Sequence, residues 1–144
     1  MRPLISLISL IAAGCASPEA STDPVRSIYW SDGDSGRIDG VDFRLANVDA
    51  PETGGVGSFG GADCEAERGL GYDAKAFMVE LTRDAELEIT ARYGTDRYDR
   101  LVIDLSAGGL DVGEAGLRAG HLKPWPHRGR TALTDKPDWC GPDA

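Results

Sequence analysis

Asp34, Asp49 and Glu52 stand in a short stretch that also contains Arg44. Carboxylates crowded together push one another's pKa upward unless a cation neutralises them. Oxygen-only donors, with waters completing the shell, suit a hard ion such as Ca²⁺ or Mg²⁺. An arginine fork beside them binds a phosphate in a fixed direction. Such a set suits phosphoryl chemistry: cation and guanidinium stabilise charge on the phosphate while one carboxylate orients water.

These side chains need a hairpin to bring them together. Ser35–Ile38 and Val41–Val48 flank Asp39-Gly40, a strong hairpin signal. In the second run Val41, Phe43 and Leu45 alternate with Asp42, Arg44 and Ala46, the period of a half-buried strand. Asp34 then opens one strand, Asp49 ends its partner, and Glu52 follows in the turn. Asp32-Gly33 reads as a turn. Register sets a condition. A strict two-residue turn pairs Ile38 with Val41 and sends Arg44 to the face opposite Asp34, whereas a bulged turn at Gly40 puts both on one face. The bulged register is expected.

Elsewhere, Val25–Ser31, Glu86–Thr90 and Leu101–Leu105 read as further strands. Thr53–Ala62, TGGVGSFGGA, is too rich in glycine for a regular element and is expected to be a mobile loop. Asp63–Leu81 carries an apolar stripe of Ala66, Leu70, Ala74, Phe77 and Leu81, which predicts a helix. Gly69 and Gly71 weaken it locally and permit close packing. Asp111–Ala119 reads as a short helix stopped by Gly120, and the tail beyond it shows little regular pattern. The order predicts an α+β, mainly β fold: a five-stranded OB-fold Greek-key barrel with one main helix and one short helix.

The 144 residues suffice for one compact domain. Residues 1–14 read as an export signal, with Arg2 before an apolar run from Leu4 to Ile11 and small residues after it. The following Cys15 also fits a bacterial lipobox, so lipidation of Cys15 and plain cleavage are equally compatible. Both place the protein outside the cytoplasm, in the periplasm, on the envelope or secreted. Residues 15–24 form a polar, Pro-containing tether, and residues 25–144 the domain. With Cys15 lipidated or lost, Cys64 and Cys140 are the remaining pair in a disulfide-permissive compartment, against the alternative of two free thiols. Net charge is −9, with the acidic excess concentrated before residue 90. That balance argues against a DNA-coating role, since static affinity rests on neutralised phosphates, but it permits an enzyme that touches one or two phosphates. His121, His127 and Trp139 read as surface or packing residues, and Trp125 alone does so too.

At the motif residues the chain resembles the staphylococcal-nuclease-like, or thermonuclease, family. DGDS at 32–35, FRLANVDAPE at 43–52 and GTDRYDRLVIDL at 94–105 match its elements in family order, and the likeness runs from about Val25 to Lys123. The resemblance implies an OB-fold barrel and Ca²⁺-dependent hydrolysis of DNA and RNA. It implies that Asp34 and Asp49 ligate calcium with the backbone carbonyl of Ala50, and that Glu52 is the water-orienting general base. Arg44 and Arg100 would bind the scissile phosphate. Arg97 and Tyr98 match positions beside the nucleotide phosphate, and Trp125 stands near the family's base-stacking tyrosine. There are departures: Ala50 replaces a common threonine and Asp99 a common glycine, where an acid beside Arg100 would pull on its guanidinium. The long final helix is replaced by a tail that Cys140 would anchor. The acidic charge predicts that DNA or RNA is weakly held. Two alternatives stand beside a nuclease: a non-catalytic OB-fold binding module, and a calcium-binding envelope lipoprotein. A monomer is the default.

Overall fold

The computed structural model describes residues 22–142. The export segment, Cys15 and the tether up to residue 21 lie outside the described residues. In chain order the elements are β1 (Asp23–Val25), β2 (Ile28–Trp30), β3 (Ser35–Ile38), β4 (Val41–Leu45), β5 (Val48–Asp49), α1 (Glu65–Thr82), β6 (Leu87–Thr95), β7 (Leu101–Ala107), β8 (Leu110–Asp111), α2 (Val112–Arg118), β9 (Lys123–Pro124), β10 (His127–Arg128) and β11 (Thr131–Ala132).

The main sheet runs β1-β6-β7-β4-β3-β2, with β8 on β7. Its two ends, β1 and β2, are separated in the chain only by Arg26 and Ser27, so the sheet curls round on itself. The β4–β7 pair is parallel and the others are antiparallel. The fold is thus α+β, mainly β and OB-fold-like. The first strand is interrupted rather than continuous, and its ladder reaches back to Asp23, which pairs with Ile89. Asp23 and Pro24 therefore belong to the domain, not to the tether. Pro24 is tolerated because β1 is a short terminal segment with few ladder bonds to supply. At the interruption, the backbone N–H groups of Arg26 and Ser27 both donate to Asp39 Oδ1, at 3.1 and 2.9 Å. The turn residue thereby satisfies the two amides released by the break.

The β3–β4 hairpin corrects the register expectation. Ile38 pairs with Val41 and Ser35 with Arg44, so the turn is the strict two-residue one, without a bulge. Asp39 (φ 46°) and Gly40 (φ 83°) are both left-handed, the conformation whose twist matches that of the flanking strands. Gly40 gives a two-residue turn all it needs, and the sequence carries no third loop residue.

Inside the curl lie Trp30, Phe43, Leu45, Ile103 and Leu105, all fully buried, with Met78 of α1 and Val112 of α2 closing the core. Trp30 and Phe43 meet edge to face at 5.3 Å. The Trp30 Nε1–H would be stranded there but donates to Thr82 Oγ1 at 3.0 Å. Helix α1 is rotated relative to its apolar stripe. Its most buried line is Glu67, Gly71, Ala74, Met78 and Thr82, with Phe77 and Leu81 partly buried beside it and Ala66 exposed. Polar residues occupy the inner line because each has a task there: Thr82 serves Trp30, while Glu67 and Gly71 serve the loop after β5. The glycine-rich Thr53–Ala62 segment is irregular but internally bonded, with Gly57 N–H donating to Ala62 O at 3.1 Å and Ser58 N–H to Gly55 O at 3.1 Å.

The tail is less featureless than its sequence. β9 pairs with β5 and places Lys123 opposite Asp49, and β10–β11 form a small hairpin. Cys140 is bonded to Cys64, the N-cap of α1, across a sequence separation of 76.

Candidate active site

Asp32 organises the entrance to β3. Its Oδ1 accepts from the N–H groups of Asp34 (3.1 Å) and Ser35 (2.8 Å), bending the chain so that Asp34 sits before the regular ladder. The Asp34 carbonyl still accepts the Leu45 N–H at 2.8 Å, but its own N–H is turned to Asp32; this bend, with the reach of the arginine, lets Asp34 meet Arg44 despite the unbulged register. After β4 the chain reverses at Ala46-Asn47, with Asn47 left-handed (φ 59°), and brings β5 back over the hairpin end. Arg44 Nη2 donates to the Val48 carbonyl at 2.7 Å and approaches Asp34 Oδ2 at 3.5 Å. The Ala50 N–H donates to the same Asp34 oxygen at 3.1 Å. These bonds hold Asp34, Arg44 and the Asp49-Ala50 segment together.

Glu52 is placed from the helix. Glu67, buried, accepts the Glu52 N–H at 3.2 Å with one oxygen and the Asp63 N–H at 2.7 Å with the other. Gly71 lets the backbone of Glu52 lie against α1: a Cβ there would come within 2.5 Å of the Glu52 carbonyl oxygen. Gly69, two residues away, faces open space. The pair yields a matched prediction. Gly69→Ala is expected to stabilise the protein by about 0.5–1 kcal/mol through helix propensity. Gly71→Ala is expected to destabilise it by about 1–3 kcal/mol through overpacking. It should also displace Glu52. Denaturant melts of the two variants check the opposite signs.

The carboxylates are crowded and largely buried. Burial pushes Asp34 well above the ordinary aspartate range; the charges of Asp32 and Asp49 add to this and Arg44 opposes it. Burial lifts Asp49 to about 6, against the pull of a Trp139 hydrogen bond and of Lys136. Glu52 is also raised, again chiefly by burial. Trp139 Nε1–H donates to Asp49 Oδ2 at 2.8 Å, and Lys136 Nζ lies 2.9 Å from Glu52 Oε1. The sequence singles out neither Lys136 nor Glu67 and offers Trp139 only as a packing residue, which it also is. One signal was available: if Cys140 is bonded to Cys64, the residues flanking it must lie near the start of α1.

A cleft of about 940 Å³ opens in front of these groups, with Asp34, Arg44, Asp49 and Glu52 at one side. Arg97, Tyr98, Arg100, Trp125 and His127 line the rest. The Arg97 and Arg100 guanidinium groups lie over the Tyr98 ring at 4.8 and 5.4 Å, and Arg44 lies 5.3 Å from the Trp125 ring. Arg100 is held by Asp96, not by Asp99: its Nη2 and Nε are 2.7 and 2.8 Å from Asp96 Oδ2. Asp99 instead occupies a left-handed turn position (φ 60°), which accounts for the common glycine there and removes the expected pull on Arg100. His127, expected at the surface without a site role, lies in the cleft, its backbone N–H donating to Asn47 Oδ1 at 3.0 Å. His121 stacks on Phe77 at 4.7 Å, away from these groups. All eight side chains expected to act on metal or substrate, from Asp34 to Trp125, therefore line one cleft, and Ala50 lies beside it.

Among the described residues, no three His, Cys, Asp or Glu side chains form a ready-made metal cluster. The donors nevertheless fit a hard cation. Asp34 and Asp49 are buried carboxylates whose pKa values stay raised despite Arg44 beside one and Lys136 beside the other, and the donor atoms they offer an ion are oxygens. Two carboxylates with a backbone oxygen and waters would suffice for an open site.

A comparison with curated proteins finds no match. The family model for the staphylococcal nuclease homologue matches residues 42–123, which runs from within β4 to the start of β9 and includes Arg44, Asp49, Glu52 and Arg100. Since that match spans more than half of the sequence, the chain belongs to the staphylococcal nuclease homologue family, a nuclease-like family.

Proposed function

We propose that the protein is an exported, Ca²⁺-dependent nuclease that hydrolyses phosphodiester bonds of DNA and RNA. The observation that carries this reading is the meeting of Asp34, Arg44, Asp49 and Glu52 at one side of a cleft whose other wall is cationic and aromatic. Asp34 and Asp49 would hold the ion, with the Ala50 carbonyl. Bound calcium would supply charge stabilisation at the phosphate oxygens. Arg44 and Arg100 each keep a guanidinium at the cleft, oriented by Val48 and Asp96 respectively, to receive the phosphate and the charge that develops on it. Glu52, raised by burial, is a stronger base than an ordinary glutamate and suits proton transfer from an attacking water. Arg97, Tyr98 and Trp125 offer phosphate and base contacts on the far wall; stacking tolerates any base, which agrees with action on both nucleic acids.

The test is digestion of single-stranded DNA by the purified domain at low salt, with Ca²⁺ or with chelator. Metal-dependent cleavage is expected. Tight DNA binding without cleavage would instead favour a binding module, and a calcium-raised melting temperature with neither would favour a structural calcium site.

The buried acids also set a pH dependence. A carboxylate whose folded pKa is raised favours the folded state only while protonated. Its contribution is full below the unfolded pKa near 3.8 and is lost as pH rises through the folded value, about 6 for Asp49. Without metal, stability should fall between about pH 4 and pH 7. Calcium needs the ionised forms, so the melting shift it produces should be small at pH 5 and large at pH 7. Thermal melts with Ca²⁺ and with chelator across that range measure both trends.

A further inference from the structure

Two groups from the tail reach the acidic end of the cleft. Lys136 Nζ lies 2.9 Å from Glu52 Oε1 and 3.8 Å from Asp49 Oδ1. Trp139, buried, donates to the other Asp49 oxygen at 2.8 Å. The tail does not arrive there by chance. Cys140 is bonded to Cys64. Lys123 Nζ donates to the Asp138 carbonyl at 2.8 Å and lies 4.4 Å from the centre of the Trp139 ring. Lys123 in turn pairs across β5–β9 with Asp49 itself. Disulfide, lysine and tryptophan thus hold residues 136–140 on one course over the site.

We propose that Lys136 is the resident counter-cation of this site, paired with Glu52 and competing with the divalent ion at Asp49, and that the Cys64–Cys140 bridge sustains the competition. The inference rests on the metal-site reading given above. An ammonium and a divalent ion cannot both sit against buried Asp49, because their repulsion is poorly screened there. Asp49 cannot be the group that moves: its side chain is only 4 % exposed and is held by Trp139. Lys136 is the mobile partner, on a four-carbon stem with its side chain 44 % exposed. Metal binding therefore expels Lys136 into solvent and, in the same event, frees the Glu52 oxygen to which it was bonded. Metal loading and release of the base are one step. The tether makes the competitor intramolecular, present at an effective concentration of about millimolar or more whatever the protein concentration.

The experiment is a calorimetric Ca²⁺ titration at pH 7 of the full domain and of the variants K136M and K136R. K136M keeps the stem and loses the charge; it is expected to bind calcium roughly tenfold more tightly than wild type. K136R keeps a cation and is expected to stay within about threefold of wild type. Without metal, K136M should melt lower than wild type, since two carboxylates lose their counter-charge, and calcium should close that gap. Equal or weaker calcium binding by K136M, with wild type binding measurably, would overturn this inference and leave the metal-site reading intact. Absence of calcium binding in all three proteins, each folded by its melting transition, would overturn both.

Discussion

Replacing Glu52 by Gln is expected to lower the rate of DNA hydrolysis at saturating Ca²⁺ by about 10²- to 10⁴-fold, the range of a general base. The substitution keeps shape and hydrogen-bonding capacity but cannot take a proton. Its backbone anchors, the Glu67 carboxylate and the close approach of Gly71, are untouched, so the fold should survive. Initial rates with a melting curve as control separate the two effects. A variant within threefold of wild type would remove Glu52 from the chemistry and pass the role to a hydroxide not handled by a side chain. Loss of calcium binding along with activity would show that Glu52 is a ligand instead.

Removing the Cys64–Cys140 bridge, as the double Ser variant, should cost about 2–5 kcal/mol of stability. The bond closes a loop with a sequence separation of 76, so the unfolded chain regains much of the freedom that the cross-link denied it. Native contacts are lost as well. Cys64 caps α1, where its Sγ accepts the Glu67 N–H at 3.4 Å, and a Ser hydroxyl replaces that function. The tail is not so easily replaced: freed of its anchor, Trp139 is held only by Asp49 and Lys123. Denaturant unfolding should report the loss, with a steeper slope because the denatured chain without the cross-link exposes more surface. A change under about 1 kcal/mol would mean that Trp139 and Lys123 already fix the tail. The same variant should bind calcium more tightly than wild type, because Lys136 would no longer be tethered.

How much of this arrangement was legible depended on the kind of force involved. The Asp39-Gly40 turn, the strands around it and the two helices follow from local conformational preference, and each lies within a few residues of its expected place. The register of that hairpin was misjudged for an instructive reason. A shared face for Asp34 and Arg44 was sought in strand alternation, whereas the chain achieves it by an Asp32-centred bend and by the long reach of an arginine. The inner face of α1 was misjudged likewise. Hydropathy selects Ala66 and Leu70, but Glu67, Gly71 and Thr82 lie inward because a loop amide, a loop carbonyl and an indole N–H require them there. A partner distant in sequence leaves no trace in local periodicity.

From sequence alone one can read which side chains crowd the cleft, since their types and order along the hairpin already imply a charged phosphate site. Only the tertiary structure decides what neutralises them in the absence of metal. Lys136 and Trp139 stand more than 80 positions from the acids they touch. Beyond the neighbouring Cys140, nothing beside them in sequence announces the contact, because electrostatic attraction and hydrogen bonding act through space, and the distance that matters is set by a disulfide and by the curl of the sheet.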